Sequence, residues 1–414
     1  MKKEIIKYVT VFFSLILIFV GYSTLVCSLP TGGIKKNIEK DASKMAHEGD
    51  YPFAIINKKQ YRMDNYTDAL ILNINYTIDN KKPLKAAMSA ELNDFYGENA
   101  TGCLQKLTNR EECSWTIKYA RYWHGNAFLL RLFLFFMDYS TIRWMLYLLS
   151  NVLILILSVK LYQTLGMRKT MAFVTGLLCV NIFVTQFSIQ SFAVVNLAVI
   201  ASILMCVYSK NKEKILLISF IIGCLTSYFD ILTTPLLTCG LPLIVYLSIE
   251  NDDSLKDRFR SLILFGFLWA VGYFLTWASK WVLGTIFTDV NVLENAFNQV
   301  LKWSNNEDLS RFDAIIDNFN LLPKFFIFMI LALFLPLVVI FFNKKAIKTN
   351  LLLLIVATLP YLWLIAIAKH SLVHAWFTYR IQVISIVAVF FIFINFVSWD
   401  KLKHSNRKKH SDRE

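Results

Sequence analysis

The chain has 414 residues, of which 56% are hydrophobic, 15% aromatic and only 17% charged, and its mean hydropathy is +0.49. Average soluble domains carry about 25% charged residues, so this composition excludes disorder and argues against a soluble enzyme. The net charge of +14 does not indicate nucleic acid. The cations sit in short connections between apolar runs and in the tail, with Lys401, Lys403, Arg407, Lys408 and Lys409, as cytoplasmic loops and headgroup contacts do.

Lys2, Lys3 and Lys7 precede an apolar run from Tyr8 to Leu29. That run is longer than the core of a cleaved signal, and Val26 stands where a lipoprotein signal would place a small residue before Cys27. The expectation is an uncleaved anchor over 1–29 with its N-terminus in the cytoplasm. A polar segment over 30–140 follows, too long for the charge rule to bear on. It holds Cys103 and Cys113, between which an extracytoplasmic location would permit a disulfide. The other five cysteines lie in apolar runs and read as small core fillers.

Further apolar runs of spanning length occur at roughly 141–164, 171–188, 190–208, 214–230, 232–249, 261–285, 323–342, 350–369 and 376–398. With the first run they predict about ten transmembrane helices. The cations of Arg168–Lys169, of Lys210, Lys212 and Lys214, of Lys256, Arg258 and Arg260, and of Lys344, Lys345 and Lys348 then share one side with both termini. That side reads as cytoplasmic. Asn126–Met137 is apolar but too short to cross, and it contains Arg131. It reads as an interfacial or re-entrant helix on the outer face. A second outer segment, 286–322, carries Asp289, Glu294, Glu307, Asp308, Asp313 and Asp317 against Lys302 and Arg311. The bundle over 141–398 ends in a basic cytoplasmic tail, 399–414.

Polar residues beside membrane helices are expensive and mark candidate sites. The topology places four clusters on the outer face. In MDNYTDALILN (63–73), Asp64 and Asp68 lie about one helical turn apart. They read either as a cap and a dipole partner, or as a general base with a neighbour that binds substrate or a divalent cation. In RYWHG (121–125), Tyr122 and Trp123 suit a belt or a sugar-stacking edge, and Arg121 and His124 suit headgroups or a phosphate. In SYFDILTTP (227–235), Asp230 is a turn residue or an active-site carboxylate. In KHSLVHAWFTYR (369–380), Lys369, His370, His374 and Arg380 crowd a short turn, and Arg380 either snorkels or helps to hold a lipid phosphate. No glutamate stands between the two histidines as a metalloprotease requires, and no P-loop, dinucleotide fingerprint or GxSxG is present.

An anchor helix, then a long loop with Asp50, Asp64 and Asp68 and an interfacial helix, then many spans with short basic connections: this order resembles the GT-C superfamily of polytopic membrane glycosyltransferases. The resemblance is architectural and covers most of the chain. It implies an all-α polytopic membrane fold and transfer of a sugar from a polyprenyl-phosphate donor to a glycan, lipid or protein acceptor. Asp64 or Asp68 would then be the base, and Arg121, His124 and Arg380 would contact phosphate or sugar. Two alternatives stay open: a transporter or flippase of lipid-linked sugars, and a polysaccharide polymerase or ligase. A transporter wants polar groups at mid-membrane, where Asn181, Gln186 and Gln190 are the notable candidates.

Overall fold

A computed structural model describes residues 2–249, 254–304 and 310–402. The tail cations Lys403, Arg407, Lys408 and Lys409 and the loop acids Glu307 and Asp308 lie outside these residues. The first apolar run forms one unbroken helix, α1 (Lys2–Cys27), of 26 residues, or about 39 Å. Short elements follow: α2 (Thr31–Glu48), α3 (Asn65–Thr77), α4 (Pro83–Ser89), β1 (Glu91–Asp94), α5 (Ala100–Thr108), β2 (Trp115–Lys118) and α6 (Gly125–Leu134). The two strands pair antiparallel, Glu91 opposite Lys118 and Asp94 opposite Trp115. Ile34, Ile38 and Met45 of α2, Leu72 of α3, Leu104 of α5 and Leu130 of α6 share one core. That core extends to Tyr139, Ile142, Ile189 and Phe192, so these elements are fastened to the helices that follow. Cys103 and Cys113 are both free thiols.

The remaining helices are α7 (Tyr139–Leu165), α8 (Met167–Cys179), α9 (Ile182–Thr185), α10 (Ile189–Tyr208), α11 (Lys212–Phe229), α12 (Leu237–Ser248), α13 (Leu255–Phe287), α14 (Val292–Ser304), α15 (Arg311–Asn320), α16 (Lys324–Ile340), α17 (Ile347–Ala366), α18 (Ala368–Val373), α19 (Ala375–Thr378) and α20 (Val383–Phe396). Among the described residues, six helices are long and apolar enough to cross a membrane: Lys3–Cys27, Tyr139–Leu165, Ile189–Tyr208, Leu255–Phe287, Lys344–Ala366 and Ala375–Phe396. The architecture is that of an all-helical, multi-pass membrane protein.

The other four expected spans fall on shorter helices, for local reasons. The run at 171–188 breaks where Asn181 takes a left-handed conformation, φ 52°, leaving α8 with 13 residues. The run at 232–249 loses its first turns to the non-helical stretch before Leu237, and α12 keeps 12 residues. The 18 residues of α11 begin with Lys212, Glu213 and Lys214, and α16 has 17.

The connections rich in cations gather at one end of the bundle. Arg168 stacks on the Trp399 ring at 3.8 Å. Lys169 donates to Ser248 O at 3.2 Å, Arg258 reaches Thr349 Oγ1 at 2.9 Å, and Asn343 donates to Asn395 O. Deeper in, α11 and α13 pack at backbone contact. A Cβ at Gly223 would collide with the Trp269 carbonyl, and one at Gly272 with the Phe220 carbonyl. Gly223→Val is therefore expected to destabilise the bundle by about 1–3 kcal/mol. A lower midpoint on thermal unfolding in detergent checks this, and an unchanged midpoint would show that the helices can part.

Of the two readings of 126–137, interfacial or re-entrant, the interfacial one is removed by the burial of α6. Its residues Ala127, Phe128, Leu130, Arg131 and Leu134 are all buried. Arg131 neither snorkels nor faces lipid; it donates to Val26 O at 3.1 Å, Asn75 O at 2.8 Å and Leu29 O at 3.3 Å.

Candidate functional site

Away from the basic connections, the other ends of the helices meet α3, the 119–124 loop and the 366–382 turn. Between them lies a cavity of about 380 Å³. Asp64, Tyr66 and Thr67 of the α3 start, Arg121 and Tyr122, Leu232 and Thr233, and His370 and His374 all face it. Residues from all four polar clusters of the sequence thus line one chamber. Tyr51, Tyr119, Gln190, Trp303, Trp376 and Phe377 complete its wall. A second cavity of about 330 Å³ shares Tyr66, Leu70, Tyr119 and Arg121 with the first. It is also lined by Asn73, Asn93, Asp94, Glu98 and Asn99.

Asp64 is the N-cap of α3, and its Oδ1 accepts from Thr67 N at 3.0 Å. Its own N–H donates to Ser188 Oγ at 2.9 Å, which ties the cap to the start of α10. The residue is only 5% exposed. Burial pushes its carboxyl up to about 6, against the pull of the Thr67 hydrogen bonds and the Arg380 charge. A carboxylate near neutrality, on a cavity wall, is suited to take a proton.

Arg121 stacks over Tyr119 at 4.3 Å and Tyr122 at 5.3 Å. Its carbonyl accepts from the indole N–H groups of Trp277 at 3.0 Å and Trp281 at 3.1 Å, so α13 holds the loop at two points. Tyr122 in turn stacks on Trp277. Across the cavity, the rings of His370 and His374 lie 4.8 Å apart, and each is 5.7 Å from Trp303. Burial lowers His370 to about 3 and His374 to about 4. Both are therefore neutral at pH 7 and act as aromatic walls and hydrogen-bonding groups rather than cations. Nδ1 of His370 has no partner among the described residues.

Four expected site residues lie behind the wall instead of on it. Asp68 is fully buried; its carboxylate accepts from Tyr139 Oη at 2.7 Å and Ile189 N at 3.0 Å. It therefore caps α10, where a helix N-terminus favours negative charge. His124 is buried with φ 57° at the start of α6, and its Nε2 donates to Tyr119 O at 2.7 Å. Burial lowers it to about 3. Arg380 is buried too. It donates to Gln60 O at 3.0 Å, Trp376 O at 3.2 Å and Val180 O at 3.3 Å, so its contribution to the cavity is positive potential at Asp64. Asp230 sits under the wall that its own loop makes. It accepts from Thr233 N at 2.9 Å, Leu232 N at 3.1 Å and Gln190 Nε2 at 3.0 Å. These bonds hold Leu232 at φ 75°, a conformation that costs a leucine roughly 1–2 kcal/mol. Gln190 also accepts from Asn126 Nδ2, so the glutamine read as a mid-membrane candidate belongs to this support. Trp123, read as a belt aromatic, is buried and donates to Thr276 O at 2.7 Å.

The sequence leaves a divalent cation open, and its donors can be tested. Among the described residues no group of three His, Cys, Asp or Glu side chains converges that could hold one. No protein-family model, no curated protein and no solved structure matches the chain.

Proposed function

We propose that this protein is a membrane glycosyltransferase of GT-C-like architecture. It moves a sugar from a polyprenyl-phosphate donor to a hydroxyl of a glycan, lipid or protein acceptor at the outer face of the plasma membrane, in the synthesis of a cell-envelope polysaccharide. The observation that carries this reading is the single cavity that joins Asp64, tuned to about 6, with Arg121 and a rim of aromatic rings. Asp64 takes the acceptor hydroxyl proton as its oxygen attacks the anomeric carbon. The bond from that carbon to the phosphate oxygen breaks, and polyprenyl phosphate leaves with its charge stabilised by the Arg121 fork. Tyr66, Tyr119, Tyr122 and Trp376 offer flat apolar faces for sugar rings. The second cavity, which shares Tyr66, Leu70, Tyr119 and Arg121 with the first, gives an acceptor further room.

The basic connections face the cytoplasm in this reading, with both termini, and the cavity faces outward. Of the four shorter helices, α12 is buried along its whole length and crosses within the bundle, where protein covers its backbone, whereas α16 lies at the lipid-facing edge.

Transfer of labelled sugar from a lipid-linked donor, measured in membranes that contain the protein, tests the proposal. Arg121→Ala is expected to raise the donor KM by about tenfold or more, the worth of a charged hydrogen bond. Arg121→Lys should restore only part of it, since the fork and the stacking on Tyr119 are lost. If no lipid-linked sugar is consumed and a labelled solute or lipid crosses the bilayer instead, the transporter reading replaces this one.

A further inference from the structure

The two helices α14 and α15 each present an apolar face that no part of the described chain covers. At 3.6 residues per turn, Leu293, Phe297 and Leu301 of α14 fall within an arc of about 80°, and all three are exposed. On the arc beside it, Val292 and Ala296 are buried against the protein. Glu294, Asn298, Lys302 and Asn295 occupy the remaining arc, from about 100° to about 200° past Leu293. The helix therefore has three distinct faces, turned to protein, to an apolar medium and to water. The same division recurs on α15. Its Ala314 and Asn318 are buried, whereas Phe312 and Ile316 are 66% and 53% exposed.

What covers these faces follows from the next helix. α16 is apolar along its whole length, with no buried residue, as a helix in lipid would be. It bends from α15 by 77° across a break at Leu321–Pro323. If α16 stands across the bilayer, α15 lies close to its plane, with Phe312 and Ile316 on its uncovered face. We propose that α14 and α15 form an interfacial platform whose Leu293, Phe297, Leu301, Phe312 and Ile316 side chains are immersed at the boundary of headgroups and acyl chains. The partner is the lipid surface itself. One consequence bears on access. Trp303, in the last turn of α14, lines the cavity beside His370. The platform thus sets the cavity mouth at headgroup level, where an amphiphilic ligand can enter from the leaflet. The platform needs no particular chemistry in the cavity.

The test uses the full chain, with Cys113→Ser to remove its half-buried thiol, in phosphatidylcholine–phosphatidylglycerol vesicles. Phe297→Cys, Phe312→Cys and Asn298→Cys are each labelled with an environment-sensitive fluorophore. All three positions are exposed, so the substitutions remove no core packing. Positions 297 and 312 should emit to the blue of position 298. A lipid carrying a shallow spin label should quench them at least about threefold more than 298, and aqueous iodide should do the reverse. Equal behaviour at the three positions overturns the proposal. So does protection of 297 and 312 from both quenchers with cross-linking between copies, which would make this face a protein contact.

Discussion

Asp64→Asn should lower turnover by about 10²–10⁴-fold while leaving donor binding nearly unchanged. The substitution isolates charge from structure. Asn caps helices as well as Asp, so the Thr67 bond and the start of α3 survive, and the amide fills the same volume in the cavity wall. What is lost is the basic lone pair. The pH dependence has a definite sign. The folded carboxyl is raised from 3.8 to about 6 by burial, and a base acts when deprotonated, so the rate should rise with pH through about 6 and level off above it. Asp230 and Asp68 are also raised, to about 6 and about 7. The diagnostic measurement is therefore the native profile against that of Asp64→Asn, which should lose the limb near 6 along with its rate. Asp68→Asn should instead weaken the protein, because one carboxyl oxygen accepts from Ile189 N and the other from Tyr139 Oη, and an amide has only one oxygen to offer them. An Asp64→Asn protein that is fully active, or that has lost donor binding as well, would remove the base assignment.

The polar half of this site was readable from sequence because each residue stood out against its surroundings. Asp64, Arg121, His370 and His374 are charged or titratable groups at the edges of apolar runs, and burying such groups is costly enough to signal a purpose. The aromatic half carried no such signal. Tyr51, Tyr66, Trp303, Trp376 and Phe377 come from a chain with 18 Tyr, 34 Phe and 10 Trp, and nothing local separates a cavity wall from a core or a membrane belt. Roles within a cluster are not separable in sequence for a related reason. Asp68 and Arg380 are as unusual in sequence as Asp64, but the partners that fix them, Ile189 N and Tyr139 for one and Gln60 O and Val180 O for the other, lie far along the chain. Helix lengths were misread wherever a backbone conformation ended a helix inside an apolar run, as at Asn181. Hydropathy sums over windows of residues do not register φ.

Arg131→Met is expected to be the most destabilising single change in the segment between α1 and α7. Its guanidinium reaches Val26 O in the last turn of α1 and Asn75 O in the last turn of α3, with Leu29 O just beyond. These are carbonyls at helix C-termini, which have no partner within the helix and carry the negative end of the dipole. One cation thus satisfies two helix ends in a place where Arg131 itself is fully buried. Methionine matches much of the stem but leaves Val26 O with the Leu29 N–H alone and takes the guanidinium donor from Asn75 O and Leu29 O, at about 1–3 kcal/mol for each carbonyl left unpaired, so a loss on the order of 3–5 kcal/mol is expected. Lysine keeps the charge with a single nitrogen and cannot span the carbonyls in the guanidinium's planar geometry, so Arg131→Lys should fall between the native protein and the methionine variant. The readout is the thermal midpoint of the detergent-solubilised protein, followed by loss of the monodisperse peak. Because α3 also carries Asp64 at its other end, activity should fall together with the folded fraction and not ahead of it. If Arg131→Met unfolds at the native temperature but loses transfer, Arg131 serves the chemistry and not the joining of α1 to α3.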